Sequence, residues 1–197
     1  MTKWVTDMKN DDSDMKIVGD VLDAAEIEAA ETADTALLLE REKENGNLSR
    51  ARRLGAILAE EVSASEGERP SDETGVAETT QRRILLAFIA ETGIEALLPN
   101  SMLVETAQSV FYSTLRVTAP VFFEDLQDSG AFSFYRLRIA DLWMEWDDVS
   151  LFPKIGETYA ALCGKPESVR LANEGARIYA AFVEQVRFFS GEMKFEK

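Results

Sequence analysis

Apolar residues recur at intervals of three and four positions along nearly the whole of this 197-residue chain. That spacing places them along one face of an α-helix, because an α-helix has 3.6 residues per turn. A half-buried β-strand would instead need apolar residues at every second position. The sequence therefore predicts an all-α fold, a bundle of about seven or eight helices that includes an N-terminal helical hairpin arm.

Glycine, asparagine and proline mark the points at which the predicted helices end and restart. One helix is expected to begin after a break and a capping residue supplied by Pro99, Asn100 and Ser101, and Pro120 lies in the first turn of the next. The apolar block 84–90 has no polar face, which is typical of a helix at the centre of a core. Predicted helices cover roughly residues 20–44, 48–63, 76–92, 131–149 and 167–190, and further helices begin near 101, 120 and 150.

Two segments leave a different secondary structure open. Residues 111–116 and 132–139 are rich in aromatic and β-branched side chains, and the turn-like residues 128–130 precede the second segment. A small β-hairpin is therefore the alternative for this part of the chain. We favour helices, because strict alternation fails and helical spacing continues to Trp146.

Changes in composition along the chain predict its division into parts. Residues 1–19 are polar with scattered apolar side chains, and we interpret them as a flexible lead-in. Residues 20–62 form an acidic helical hairpin with a seam of small side chains. Glycine, proline, serine and acidic residues make 63–75 a linker, and residues 76–197 are predicted to form a compact helical domain.

Charge and cysteine content exclude several classes of function. The formal net charge is −15, and residues 1–98 contain 11 basic against 22 acidic residues. An acidic protein repels phosphate backbones, so we predict no binding to nucleic acid. No apolar run approaches the roughly 20 residues that span a bilayer, so we predict no membrane partner. The single cysteine and the absence of an apolar signal segment at the N-terminus predict a cytoplasmic location.

The chain contains no histidine. Ser-His-Asp and Cys-His catalysis and the usual catalytic zinc sites therefore each lack a required residue. The common glycine-rich phosphate-binding loops are also missing, and we predict no cofactor. Cys163 has no evident base beside it, so we interpret it as a small buried side chain rather than a nucleophile.

One enzymatic possibility remains, which is a Mg²⁺ site built from carboxylates alone. Asp141, Glu145 and Asp148 share one face of the predicted helix 131–149, and Trp143 and Trp146 lie close by in sequence. These three acidic residues are the candidate metal ligands. The competing interpretation is a solvated acidic helix face, because such spacings arise by chance in a chain with 36 acidic residues.

Two functions from different classes follow. The first is a non-enzymatic helical interaction or regulatory protein that self-associates, or binds a basic protein partner, through residues 20–62. The alternative is a Mg²⁺-dependent enzyme with a carboxylate site that acts on a phosphorylated small molecule. The concentration of negative charge in the hairpin favours the first.

Overall fold

The computed structural model describes residues 34–64, 73–142 and 145–196. These residues are predominantly helical and contain no strand, which confirms the predicted all-α fold. The β-hairpin alternative is wrong, because both of its segments lie within α-helices. The helices are α1 (residues 34–44), α2 (Asn47–Ala64), α3 (Glu73–Leu97), α4 (Ser101–Thr118), α5 (Pro120–Asp128), α6 (Ala131–Leu142), a 3₁₀ turn (Val149–Leu151), α7 (Phe152–Leu162) and α8 (Val169–Met193).

The chain divides into two compact units, Met1–Arg41 and Glu42–Lys197. In the first unit the described residues, 34–41, are helical, and Leu37 and Leu39 expose 65% and 46% of their surfaces. The predicted lead-in and the start of the predicted hairpin lie outside the described residues, as do residues 65–72 of the predicted linker.

Helix α3 occupies the centre of the second unit, where it packs against α2, α4, α6, α7 and α8. Every residue of the apolar block 84–90 is buried, as the sequence predicts. A helix that is apolar on all sides gains the most by contacting neighbours on all sides, since burial stabilises in proportion to the apolar area removed from water. The packing of the other helices around α3 follows from this block.

Two close helix pairs flank α3, and glycine makes each approach possible. In the α2–α4 pair, Gly55 lies directly against the backbone of Ala107. In the α7–α8 pair, Gly156 lies directly against the backbone of Ala172. A side chain at either glycine would force the two backbones apart.

Helix α2 belongs to the compact unit, which differs from the predicted domain layout. Its apolar stripe, which includes Leu54, Leu58 and Val62, is fully buried, and the helix packs chiefly against α4. The sequence grouped residues 48–62 with the arm because the linker follows them. Composition predicts a linker but does not reveal which side of it a helix packs on.

Helix α6 ends at Leu142, so the single helix predicted over residues 131–149 is wrong. The backbone turns at 146–147, and Trp146 packs against Gly93 while its carbonyl oxygen accepts a hydrogen bond from the hydroxyl of Tyr179. Val149, at the end of the predicted helix, is 74% exposed. Contacts with distant helices thus outweigh the local preference for continuing the helix.

Other helix ends match local signals more closely. The Asn100 side chain caps α4, where its Oδ1 accepts a hydrogen bond from the Leu103 amide at 3.0 Å. The predicted stop at Gly93 is wrong, because α3 continues to Leu97. A Cβ on Gly93 would lie 2.5 Å from Val186 Cγ1 and 3.1 Å from the Trp146 ring, so this glycine provides room for both side chains rather than ending the helix.

Candidate functional site

An open cleft of about 760 Å³ lies where the ends of α3 and α6 meet the 145–147 turn. Its lining combines small and large apolar side chains with four charged ones. Concave surfaces of this size and composition are typical of ligand-binding sites. The lining residues are Thr92, Glu95, Ala96, Leu97, Arg136, Ile139, Ala140, Glu145, Trp146 and Asp147.

One side of the cleft is an apolar wall formed by Leu97, Ile139 and Trp146. The packing of Trp146 holds this wall in place. The indole is 8% exposed and rests against Gly93 of α3, while Tyr179 of α8 donates a hydrogen bond to the Trp146 carbonyl. Burial raises the pKa of Tyr179, so its hydroxyl remains a donor at neutral pH. The wall is therefore fixed by two helices before any ligand arrives.

Arg136 of α6 is clamped by two carboxylates of α3. Its Nη1 donates to Glu95 Oε2 at 3.2 Å and its Nη2 donates to Glu95 Oε1 at 3.0 Å. The same Nη2 also pairs with Glu91, whose side chain is 14% exposed. The hydrogen bond with Glu95 is the main cause that raises the pKa of Arg136. Both acids compete for this guanidinium, so it is poorly placed to attract an anionic ligand.

Two side chains of α4 donate hydrogen bonds to the carboxylates that hold Arg136. The Tyr112 hydroxyl donates to Glu91, and Gln108 Nε2 donates to Glu95 Oε1 at 3.2 Å. Burial, followed by the charge of Glu91, raises the pKa of Tyr112. The phenol therefore stays protonated and acts as a donor that fixes Glu91.

The 145–147 turn contributes two acidic residues to the rim of the cleft, and one of them is ion-paired. Asp147 pairs with Arg187 of α8. Glu145 is exposed, and within the described ranges no ion pair or hydrogen bond engages its carboxylate. Glu145 is therefore the carboxylate of this rim that is available to a ligand.

The three candidate metal ligands from the sequence do not share one helix face. Glu145 lines the cleft, whereas Asp148 caps the 3₁₀ turn, where its Oδ1 accepts from the Ser150 amide at 2.8 Å and from the Ser150 hydroxyl at 2.6 Å. These two hydrogen bonds, the hydroxyl first, lower the pKa of Asp148. Asp141 lies in the last turn of α6, and its side chain, like Trp143, is outside the described residues.

A metal site is not assembled in the described part of the chain. No group of three or more cysteine or acidic side chains there has the geometry to hold a metal ion. The set of Asp141, Glu145 and Asp148 stays a prediction, because the side chain of Asp141 is not described.

Cys163 is partly buried at the end of α7. Burial raises the pKa of its thiol to about 11, so the thiol is protonated at neutral pH. A protonated thiol is a weak nucleophile, which agrees with its interpretation as a small packing side chain.

The clamp around Arg136 was missed by sequence reasoning. Glu91 and Glu95 have the i,i+4 spacing of one helix face, but such pairs are common in an acidic chain. Their partner lies 45 and 41 residues further along, on another helix. Only the packing of α6 against α3 brings the three side chains together.

Comparison with family models, with curated proteins and with solved structures found no match to this chain. No helix within the described ranges is both long and apolar enough to cross a lipid bilayer.

Proposed function

We propose that this protein is a non-enzymatic helical interaction or regulatory protein that binds a partner protein in the α3–α6 cleft. The observation that carries the proposal is the composition of the cleft, which joins a preformed apolar wall to a charged rim. Apolar area supplies binding energy, and a few placed polar groups fix orientation.

The state of the charged groups favours binding over catalysis. Arg136 is held by Glu91 and Glu95, and Asp147 is held by Arg187. General acid–base catalysis needs a group whose pKa lies near the working pH and which reaches the reacting atom. Among the described residues that line the cleft, none forms a pair of nucleophile and base.

The acidic arm remains a second contact surface in this proposal. The apolar stripe of α2 is covered by α4, so the part of residues 20–62 left for self-association or for a basic partner is the segment before α2. Leu37 and Leu39 are exposed there. We place this activity in the cytoplasm, on the sequence evidence alone.

A cleft-filling substitution tests the proposal. Ala140 lines the cleft and is exposed, so Ala140→Trp is expected to fill the cleft without disturbing the core. Purified wild type and variant are used for affinity capture from the producing cells, and the captured partner is then titrated against each protein. We expect Ala140→Trp to weaken partner binding by about tenfold or more, because the wall is no longer accessible.

Ser133→Trp is the matched control, since Ser133 is exposed on the same helix but does not line the cleft. It is expected to bind like the wild type. A partner that binds Ala140→Trp as tightly as the wild type, or no partner at all, would contradict the proposal.

A further inference from the structure

We infer that the cleft binds a cationic side chain, an arginine or a lysine, presented by a segment of the partner protein. This inference rests on the proposed function and names the chemistry of its ligand. It is carried by the electrostatics of two helix ends, by an unpaired carboxylate and by the apolar wall beside them.

Two helices end at the cleft. Helix α3 ends at Leu97 and α6 ends at Leu142, and the last turn of neither helix contains a basic residue. The C-terminal end of a helix carries roughly half a negative charge, which cations stabilise. Lysine or arginine of the same helix commonly fills that position, whereas the last turns of α3 and α6 supply neither.

The side chains of the rim add to this negative potential. Among the described residues, the lining contains Glu95, Glu145 and Asp147 and one cation, Arg136. Including the outer partners Glu91 and Arg187, four carboxylates face two guanidinium groups, a balance of −2. Both guanidinium groups are engaged, whereas Glu145 has no partner in the described residues. Of the charged groups that the structure describes at the cleft, a cationic ligand therefore meets the free carboxylate of Glu145 and two guanidinium groups that are already paired.

The wall suits the stem of a basic side chain. Lysine and arginine lay their methylene chains on apolar surface and keep the charged head at a polar site. Leu97, Ile139 and Trp146 supply that surface, and Glu145 lies at its edge. One long cationic side chain can therefore pack against the apolar wall and pair with Glu145.

The size of the cleft favours a protein segment over a free small cation. A cleft of about 760 Å³ accommodates a drug-sized ligand, which is several times larger than a guanidinium group. The remaining volume of the cleft can hold the apolar residues that adjoin the basic residue in the partner's segment. The net charge of −15 also steers a basic partner towards this protein.

Matched peptides test the inference with the full-length chain. The first probe is a short leucine-containing peptide with one central arginine, and the second carries citrulline, the neutral isostere, at that position. The third probe, n-butylguanidinium, represents the side chain alone. Binding is measured by calorimetry and by amide chemical shifts.

We expect the arginine peptide to bind about tenfold more tightly than the citrulline peptide, because a surface ion pair and two helix ends each contribute modestly. Amide shifts should centre on residues 92–97, 136–140 and 145–147. Glu145→Gln should lower the affinity for the arginine peptide by about threefold. Raising the salt concentration from about 50 to about 200 mM should lower that affinity further. Glu124→Gln, which removes an exposed carboxylate of α5 outside the cleft, should leave the affinity unchanged.

The negative results distinguish a failure of the cationic ligand from a failure of the proposed function. Equal affinity for the arginine and citrulline peptides, or no effect of Glu145→Gln, overturns the cationic ligand but leaves a cleft-dependent partner intact. An arginine peptide that binds no more tightly than n-butylguanidinium overturns the protein segment as the source of the cation. If the captured partner ignores Ala140→Trp, the proposed function fails as well.

Discussion

Replacing Gly156 with alanine is expected to lower the free energy of unfolding by about 3 kcal/mol. The new Cβ would lie 3.0 Å from the carbonyl carbon of Ala172 and from the amide nitrogen of Ala176, and closer still to the Ala172 carbonyl oxygen. Backbone atoms cannot rotate away, so α7 and α8 must separate along their interface. The midpoint of urea unfolding, followed by far-ultraviolet circular dichroism, measures the loss.

Gly191→Ala is the control on the same helix pair. Gly191 lies within α8, and no atom stands within 4 Å of the position its Cβ would take. Alanine is there expected to be neutral or to stabilise by up to about 1 kcal/mol, because glycine disfavours helix. If Gly156→Ala unfolds at the wild-type urea concentration, the close α7–α8 contact is not present in solution.

Replacing Asn47 with aspartate is expected to destabilise the fold by about 3 kcal/mol at neutral pH. The Asn47 side chain is fully buried, and its Nδ2 donates to Glu42 Oε2 at 2.6 Å and to the Glu196 carbonyl at 2.8 Å. Aspartate places a charged acceptor where that donor stood and faces the carboxylate of Glu42. Arg50 Nη1, which donates to Asn47 Oδ1 at 2.9 Å, offsets part of this repulsion but does not replace the lost donor. Thermal and urea unfolding as a function of pH measure the effect.

The pH dependence has a definite sign. Two carboxylates in one buried site raise the pKa of at least one of them, so the folded variant binds a proton more tightly than the unfolded chain. The stability deficit of Asn47→Asp should therefore shrink as the pH falls towards about 4. Asn173→Asp, at an exposed position of α8, should change stability by less than about 0.5 kcal/mol. Equal effects of the two substitutions would contradict the buried network.

Local features of the sequence were sufficient to predict the helical architecture. The apolar spacing identified the described helices, and the block 84–90 identified the central helix, because both depend on residues within a few turns of one another. A capping residue near Asn100 and Ser101 was expected for the same reason, and Asn100 supplies it. Its side chain bonds to an amide three positions away.

Features that depend on distant contacts could not be predicted in this way. Helix α6 ends early because Trp146 packs against Gly93 and bonds to Tyr179, residues 53 positions before it and 33 after it. The apolar spacing within residues 131–149 gives no information about those distant partners. The candidate acidic face was therefore placed on a helix that does not extend that far.

The cleft illustrates the same limit. Glu145 was singled out from the sequence as a possible metal ligand, and the structure places it on the rim of a cleft whose other charged residues were not anticipated. Arg136 had no distinguishing local pattern, since its partners Glu91 and Glu95 lie on another helix. Similarly, the assignment of α2 to the arm overlooked the close approach of Gly55 to Ala107.

A crystal structure of the full-length chain with the arginine peptide tests most directly whether the cleft recognises a basic side chain. We predict that the guanidinium lies about 3 Å from the carboxylate oxygens of Glu145. Its stem should rest on Ile139 and Trp146. A peptide seated elsewhere, or one whose arginine points into solvent while other side chains fill the cleft, would contradict this account.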